Sequence, residues 1–261
     1  MSTSRADPLA LPPLAAEPAL AQKSALVVGA GGLGCPAALA LVRAGVGRVV
    51  LADDDRVDET NLHRQILFSD ADVGRDKLTA AVTALSRFAH AGQRVDAVRT
   101  RLLPDNAREL VRDFDVVLEG ADNFATKFLS ADACHLEARP VVHGAAVRFR
   151  ATVWCVTPGG QPCYRCLFED IPSDDASQTC AEAGVMGPVV GFAGALMAEL
   201  ALDALLGSPR AGRLFSYDGL RDRLREVPVS PRSGCALCGD DPKISELREL
   251  CYIAPDCALG A

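Results

Sequence analysis

A glycine-rich turn set between an apolar strand and a small-residue helix constrains this chain more than any other feature. Ala25 to Val28 is a short apolar run of strand type, Gly29-Ala30-Gly31-Gly32-Leu33-Gly34 follows at once, and small helix-forming residues continue to about Gly45. Glycines at such a turn let backbone N–H groups and a helix N-terminus approach a phosphate, because no Cβ stands between them. Val49 to Leu51 form a second strand that stops at Asp53, 24 residues after Gly29. That is near the ~20-residue offset at which a carboxylate accepts ribose hydroxyl hydrogens. The pattern predicts a purine-nucleotide site on Gly29, Gly31, Gly32, Gly34 and Asp53. The same glycines would also serve simple close packing of helix on strand, with no ligand.

Further along, Leu78, Ala81, Val82, Leu85 and Phe88 share one helical face and predict a helix over about 75–89. Strand-like runs recur at 95–98, 116–118 and 141–142 with helical stretches between. Strands alternating with helices imply a parallel sheet covered on both faces. Val141 to Ala146 and Arg148 to Val156 lie too close together for a crossover helix and should pair antiparallel. From Pro158 to Pro188 the chain is irregular, and a loop this long inside a compact domain is usually functional. A helix over 189–206 follows, then strands at 214–217 and 224–229. The expectation is an α/β protein, Rossmann-like, with a largely parallel sheet, antiparallel additions and a zinc-binding C-terminal part. Residues 1–22, rich in Pro and Ala, read as an arm, 23–239 as one domain, and 240–261 as a tail with one helical turn near 246–250. No internal repeat is visible.

The zinc expectation comes from cysteine spacing. Cys163-Tyr164-Arg165-Cys166 and Cys235-Ala236-Leu237-Cys238 are two C-x-x-C pairs, 68 residues apart, and together they offer a tetrahedral S₄ set. One pair as a redox dithiol is the competing reading, but neither opens a helix in its own βαβ context. Gly234 and Gly239 flank the second pair as the tight turns of a zinc knuckle. Cys35, Cys134, Cys155, Cys251 and Cys257 carry no spacing signal and read as packing residues. The apolar run 183–198 falls short of the ~20 residues that span a bilayer and is broken by Pro188, and the N-terminus lacks an export signal. A cytoplasmic protein with reduced thiols is expected. A net charge of −7 argues against a basic surface for nucleic acid.

Two kinds of nucleotide fit the glycine turn. NAD needs a dinucleotide pocket and a hydride acceptor, whereas ATP used for chemistry needs cations on its phosphates and a carboxylate for Mg²⁺. The second set is visible. Asn61, Arg64 and Gln65 follow the second strand, Lys77 opens the next helix, and Asp122 and Asn123 follow the strand ending at Leu118. Strand C-termini of an open parallel sheet converge on one crevice, where these residues can meet a triphosphate. Taken singly, Arg64 and Lys77 read as solvated charges and Asp122 as a helix N-cap.

These residues resemble the MoeB/ThiF/HesA family, the bacterial relatives of ubiquitin-activating enzymes. The matching text runs in order from Gly29–Gly34 through Ala44-Gly45-Val46-Gly47, Asp53-Asp54-Asp55, Asn61-Leu62-His63-Arg64-Gln65, Gly74 with Lys77, Ala121-Asp122-Asn123 and Gly144-Ala145-Ala146. It continues through Cys163 to Cys166, Thr179-Cys180, Gly184 to Pro188 and Cys235 to Gly239. The resemblance implies adenylation of the C-terminal glycine of a ubiquitin-like sulfur carrier ending in Gly-Gly, for a molybdopterin or thiamine type pathway. It implies that Asp53 holds the ribose, that Asn61, Arg64 and Lys77 hold the phosphates, that Asp122 holds Mg²⁺, and that the four C-x-x-C cysteines hold zinc. It also implies a homodimer, and a covalent or thiol-transfer role for Cys180 in the long loop.

The chain departs from the family in places. No Tyr lies in the N-terminal segment where the family carries an R-Y-x-R-Q stretch, and Arg5 is the one arginine ahead of the glycine turn. His63 stands where the family has Gln. Only 22 residues follow Gly239, so a separate sulfur donor is expected. Arg221, Arg223 and Arg225 alternate along an expected strand, where they would contact a carrier or simply face solvent. Two further readings stay open at this point: a NAD(P)-dependent oxidoreductase, and a catalytically silent, zinc-stapled scaffold that binds a ubiquitin-like partner.

Overall fold

Eight strands form one sheet, in the order β3-β2-β1-β4-β5-β6-β7-β8. The computed structural model describes residues 17–172 and 183–252. The strands are β1 (Ser24–Val28), β2 (Arg48–Asp53), β3 (Arg94–Arg99), β4 (Val116–Glu119), β5 (Val141–Val147), β6 (Arg150–Val156), β7 (Arg213–Asp218) and β8 (Arg223–Pro228). Strands β1 to β5 pair in parallel, and β6, β7 and β8 add antiparallel. The expected β5–β6 hairpin is present, turning at Arg148 with φ of 54°.

The helices are α1 (Gly34–Ala44), α2 (Lys77–Ser86), α3 (Ala107–Arg112), α4 (Phe124–Leu136), α5 (Tyr164–Leu167) and α6 (Gly187–Leu205). One core lies on the face under α1, α2 and α6, and includes Val27, Leu41, Leu85, Met197 and Leu200. The other lies under α3 and α4 and includes Leu26, Val111, Phe128, Trp154 and Tyr164. Strand β1 thus feeds both cores, which is why its sequence is a continuous apolar run. Helix α6 is long and apolar enough to span a membrane by length and composition. It packs on α1, β5 and β6 with Val190, Ala193, Met197 and Ala201 buried, as a core helix does.

Four boundaries differ from expectation. Helix α2 is shorter than 75–89 because Asp76 caps it at the start, its carboxylate accepting from the Thr79 N–H. Pro18–Gln22, expected within the arm, form a 3₁₀ turn whose Leu20 is buried in the core. The C-terminal turn lies at Glu249–Tyr252, with Tyr252 buried beside α4. Arg221 stands in the β7–β8 turn on Asp218 rather than on the strand. Arg223 and Arg225 lie on β8, which is exposed along its whole length, as suits a charged edge strand.

Glycine positions carry much of the geometry. A Cβ on Gly34 would sit 1.8 Å from the Gly29 carbonyl oxygen, so α1 can start this close to β1 only with glycine there. Replacing Gly34 with Ala should destabilise the protein by at least ~1–3 kcal/mol, through the overpacking of strand on helix. Gly191, in α6 with open space around its would-be Cβ, is the control. Gly191→Ala should stabilise by up to ~1 kcal/mol from helix propensity. Urea midpoints at constant m-value check both.

Candidate functional site

A cleft of about 860 Å³ opens where the sheet order reverses between β1 and β4, at the C-terminal ends of the strands. This is where open α/β sheets bind ligands. Its lining brings together Gly29, Gly31, Gly32, Asp53, Asn61, Arg64, Gln65, Lys77, Asp122 and Asn123. Gly34 is the exception among the expected glycines. It lies behind the loop, buried against Gly29, and its work is close packing rather than ligand contact.

Asp53 is almost buried, and its carboxylate ties the loops together. Its Oδ2 accepts from the Ala30 N–H at 2.7 Å and its Oδ1 from the Asp55 N–H at 2.9 Å. The Lys77 ammonium lies 3.5 Å from Asp53 Oδ1 and 2.9 Å from Asp55 Oδ2. Lys77 is only 3% exposed, which removes the reading of a solvated surface charge. Arg64 Nη2 donates to Asn61 Oδ1 at 2.6 Å, so the two side chains are fixed as a unit. Gln65 is 4% exposed and its Oε1 has no partner among the described residues, an orphaned acceptor at the cleft wall. Asn123, not Asp122, caps α4, accepting from the Thr126 N–H at 2.8 Å. Asp122 stands exposed on the cleft lining, with no capping duty.

The sequence reading missed the residues beneath this layer. Glu119 at the end of β4 is fully buried and pairs with Lys127 Nζ at 3.0 Å and His143 Nδ1 at 3.3 Å. Burial alone would raise its carboxyl, but Lys127 and His143 outweigh that and hold it below the usual carboxylate range. An acid that ends the apolar run Val116 to Leu118 was the available signal. Thr100 to Pro104, after β3, also line the cleft, and Arg101 pairs with Asp54 at 3.1 Å.

The four C-x-x-C cysteines gather into one buried cluster. Their sulfurs all lie within 4.8 Å of one another, with Cys163–Cys235 at 3.5 Å, Cys166–Cys238 at 3.4 Å and Cys163–Cys166 at 4.0 Å. Zinc–sulfur bonds of about 2.3 Å in a tetrahedron require edges of ~3.8 Å, so the donor set fits zinc. Tyr164, inside the first pair, reaches the cleft. Its neighbour Arg165 holds the buried Asp132 of α4 with Nε at 2.9 Å and Nη2 at 2.9 Å, and Tyr252 donates to the same carboxylate at 3.0 Å. The cluster, α4 and the C-terminal turn are therefore one packed unit. Cys35, Cys134 and Cys155 are buried packing residues as expected. Cys180, Thr179, Arg5 and Cys257 lie outside the described residues.

Known proteins resemble this one in both sequence and fold. Residues 9–237 match the ThiF family. A Thermus thermophilus protein named sulfur carrier protein adenylyltransferase is 43% identical over 235 residues, covering 87% of this chain and 86% of that protein. Anopheles gambiae adenylyltransferase and sulfurtransferase MOCS3 is 38% identical over 231 residues, 87% of this chain and 52% of that protein. The chain thus spans about half the length of its MOCS3 relatives. Among solved structures, Escherichia coli MccB with ATP superposes with a TM-score of 0.75 at 20% identity, over 85% of this chain and 68% of that one. PaaA superposes at 0.67 with 21% identity, over 82% and 66% respectively. The family match takes in residues 9–237, most of the chain, and the Thermus thermophilus relative is 43% identical, so the chain belongs to the ThiF family.

Proposed function

We propose that the protein is an adenylyltransferase that uses ATP and Mg²⁺ to activate the C-terminal glycine of a ubiquitin-like sulfur carrier. The observation that carries this reading is the meeting of the glycine turn, Asn61, Arg64, Lys77 and Asp122 in a single cleft. Two cations beside a rim carboxylate suit a triphosphate with its Mg²⁺ better than a dinucleotide used for hydride transfer. The name of the Thermus thermophilus relative supports the same activity.

In this reading Asp53 takes the ribose hydroxyls, and Gly29, Gly31 and Gly32 leave the α1 N-terminus open to the phosphates. Asn61, Arg64, Gln65 and Lys77 line the phosphate path, and Asn123 stands beside Asp122. Asp122 is the carboxylate that would hold Mg²⁺, which supplies charge neutralisation on the phosphates when bound. The carrier carboxylate is already ionised at neutral pH, so its oxygen attacks the α-phosphorus without a general base. The new O–P bond forms as the bond to pyrophosphate breaks, giving an acyl adenylate. Arg64 and Lys77 meet the charge that develops on the leaving pyrophosphate. Lys77 must exchange part of its pairing with Asp55 for the phosphate, and Asp55, 61% exposed, can release it.

The rest of the proposal concerns partners. A homodimer, a separate sulfur donor, a molybdopterin or thiamine type pathway and a cytoplasmic setting belong to it. So does a role for Cys180 in thiol steps after adenylation. Residues 23–239 act as the adenylation domain, with zinc as a structural staple at Cys163, Cys166, Cys235 and Cys238.

Exchange of pyrophosphate into ATP, with Mg²⁺ and a panel of small carriers ending in Gly-Gly, should occur with one carrier and not without it. Absence of exchange across the panel, with ATP still bound, would leave a silent scaffold instead. Asp122→Ala should lower the exchange rate by at least ~100-fold, and Cys180→Ser should keep it. For the zinc, native mass spectrometry should find one ion per chain, lost in Cys163→Ser and Cys238→Ser together with several kcal/mol of stability. A metal-free chain of wild-type stability would remove the S₄ assignment.

A further inference from the structure

The cleft does not end at the nucleotide loop. One cross-strand row runs along the α4 face of the sheet, in which Val28 pairs with Glu119, Glu119 with His143, His143 with Trp154 and Trp154 with Leu214. Val28, His143, Trp154 and Leu214 all line the cleft, and Tyr164 and Phe168 line it from the zinc-cluster side. The cavity therefore crosses from the parallel half of the sheet into the antiparallel half.

Two polar atoms in this second half have no partner among the described residues, His143 Nε2 and Trp154 Nε1. Both residues line the cleft but are only 4% and 2% exposed, with the nitrogens themselves shielded from water, so a ligand meets them only once the ring edges turn toward the cavity. An unmade hydrogen bond on a buried group is costly and asks for an explanation. The polarity of each atom follows from its surroundings. An indole nitrogen only donates. His143 Nδ1 faces the Glu119 carboxylate, an acceptor already neutralised by Lys127, so the Nδ1 carries the proton and Nε2 offers a lone pair. Cross-strand neighbours thus present one acceptor and one donor side by side, the complement of the N–H and C=O of a peptide.

The side of the cleft identifies the ligand. Asp53 ends β2, and Thr100 to Pro104 close the cleft after β3, so ribose and base occupy the β2–β3 side of the glycine turn. The β5–β6 side is left for the molecule that attacks the α-phosphorus. We propose that His143 and Trp154 read the backbone of the substrate's C-terminal tail, His143 Nε2 accepting one amide N–H and Trp154 Nε1 donating to a carbonyl. This rests on the adenylyltransferase reading and adds two specificity-determining residues to it, acting on the polypeptide rather than on the nucleotide.

The test uses the full chain and the carrier that supports pyrophosphate exchange. Trp154→Phe keeps a ring in place and deletes the indole N–H, and His143→Asn keeps a donor where Nδ1 meets Glu119 while deleting Nε2. Each should raise KM for the carrier by about tenfold, with kcat and the KM for ATP changed by less than about twofold. Semisynthetic carriers in which each of the last four peptide bonds in turn becomes an ester lack one N–H apiece. One of them should bind the wild-type protein about tenfold more weakly and lose that penalty against His143→Asn. Equal binding of every ester to the unaltered protein, which needs no variant to fold, would overturn the proposal in favour of an internal water. A rise in KM for ATP alone would overturn it in favour of a base-binding role. If the wild type shows no carrier-dependent exchange, the adenylyltransferase reading itself has failed, a result distinct from both.

Discussion

The cleft depends on a carboxylate that water cannot reach. Glu119 is 0% exposed at the end of β4, and an unpaired charge there would cost several kcal/mol. Lys127, four residues into the helix capped by Asn123, supplies the countercharge at 3.0 Å and donates also to the Gly144 carbonyl at 2.5 Å. One ammonium therefore ties the end of β4 and the first turn of α4 to the middle of β5. The other carboxylate oxygen accepts from the Ala121 N–H at 2.7 Å, which fixes the turn that carries Asp122. The same group orients the His143 ring. Position at the rim and polarity at the floor thus share a single electrostatic cause.

Steric fit supplies the second constraint. Small residues let elements approach until only hydrogen fits between them. Gly34 meets the Gly29 carbonyl, Gly194 of α6 meets the Leu33 carbonyl and Pro36, and Gly144 of β5 meets the Met197 sulfur. Helices α1 and α6 are thereby drawn together beneath the glycine loop, and a Cβ on Gly32 would strike Val190 of α6. The glycine run thus has two uses. Gly29, Gly31 and Gly32 face the cleft while Gly34 serves packing, and the two readings of the motif divide by position rather than compete.

Much of this was legible in the chain before its structure. The strand–turn–helix start, the largely parallel sheet, the β5–β6 hairpin and the pairing of the two cysteine motifs all follow from local signals at fixed offsets. The cleft residues from Asn61 to Lys77 were legible because strand ends converge. What escaped was set by long-range packing. Nothing local marks Lys127 as buried, since its burial comes from Glu119 eight residues earlier and from Gly144 across the sheet. Asp122 and Asn123 look alike as caps, and only the turn geometry gives the cap to Asn123. Leu20 and Tyr252 sit in segments whose composition suggested an arm and a tail, yet one apolar side chain from each reaches a core.

The antiparallel half of the sheet is what separates this molecule from a plain nucleotide binder. A parallel sheet ending at β5 would close the cleft at His143. Continuing through β6 and β7 extends the row to Trp154 and Leu214, and the cysteine cluster then roofs that extension with Tyr164. The roof is tied down by Arg165 on Asp132 and by Tyr252 on the same carboxylate, so it cannot shift without breaking a buried ion pair. The four-cysteine cluster, whose two pairs lie 68 residues apart in sequence, is therefore coupled to the shape of the β5–β7 end of the cleft, not only to stability. Breaking the cluster by Cys163→Ser should loosen the β5–β7 end of the cleft before it disturbs the glycine turn, read as faster amide exchange there first, because the Asp53, Ala30 and Lys77 contacts that hold the turn involve no residue of the cluster.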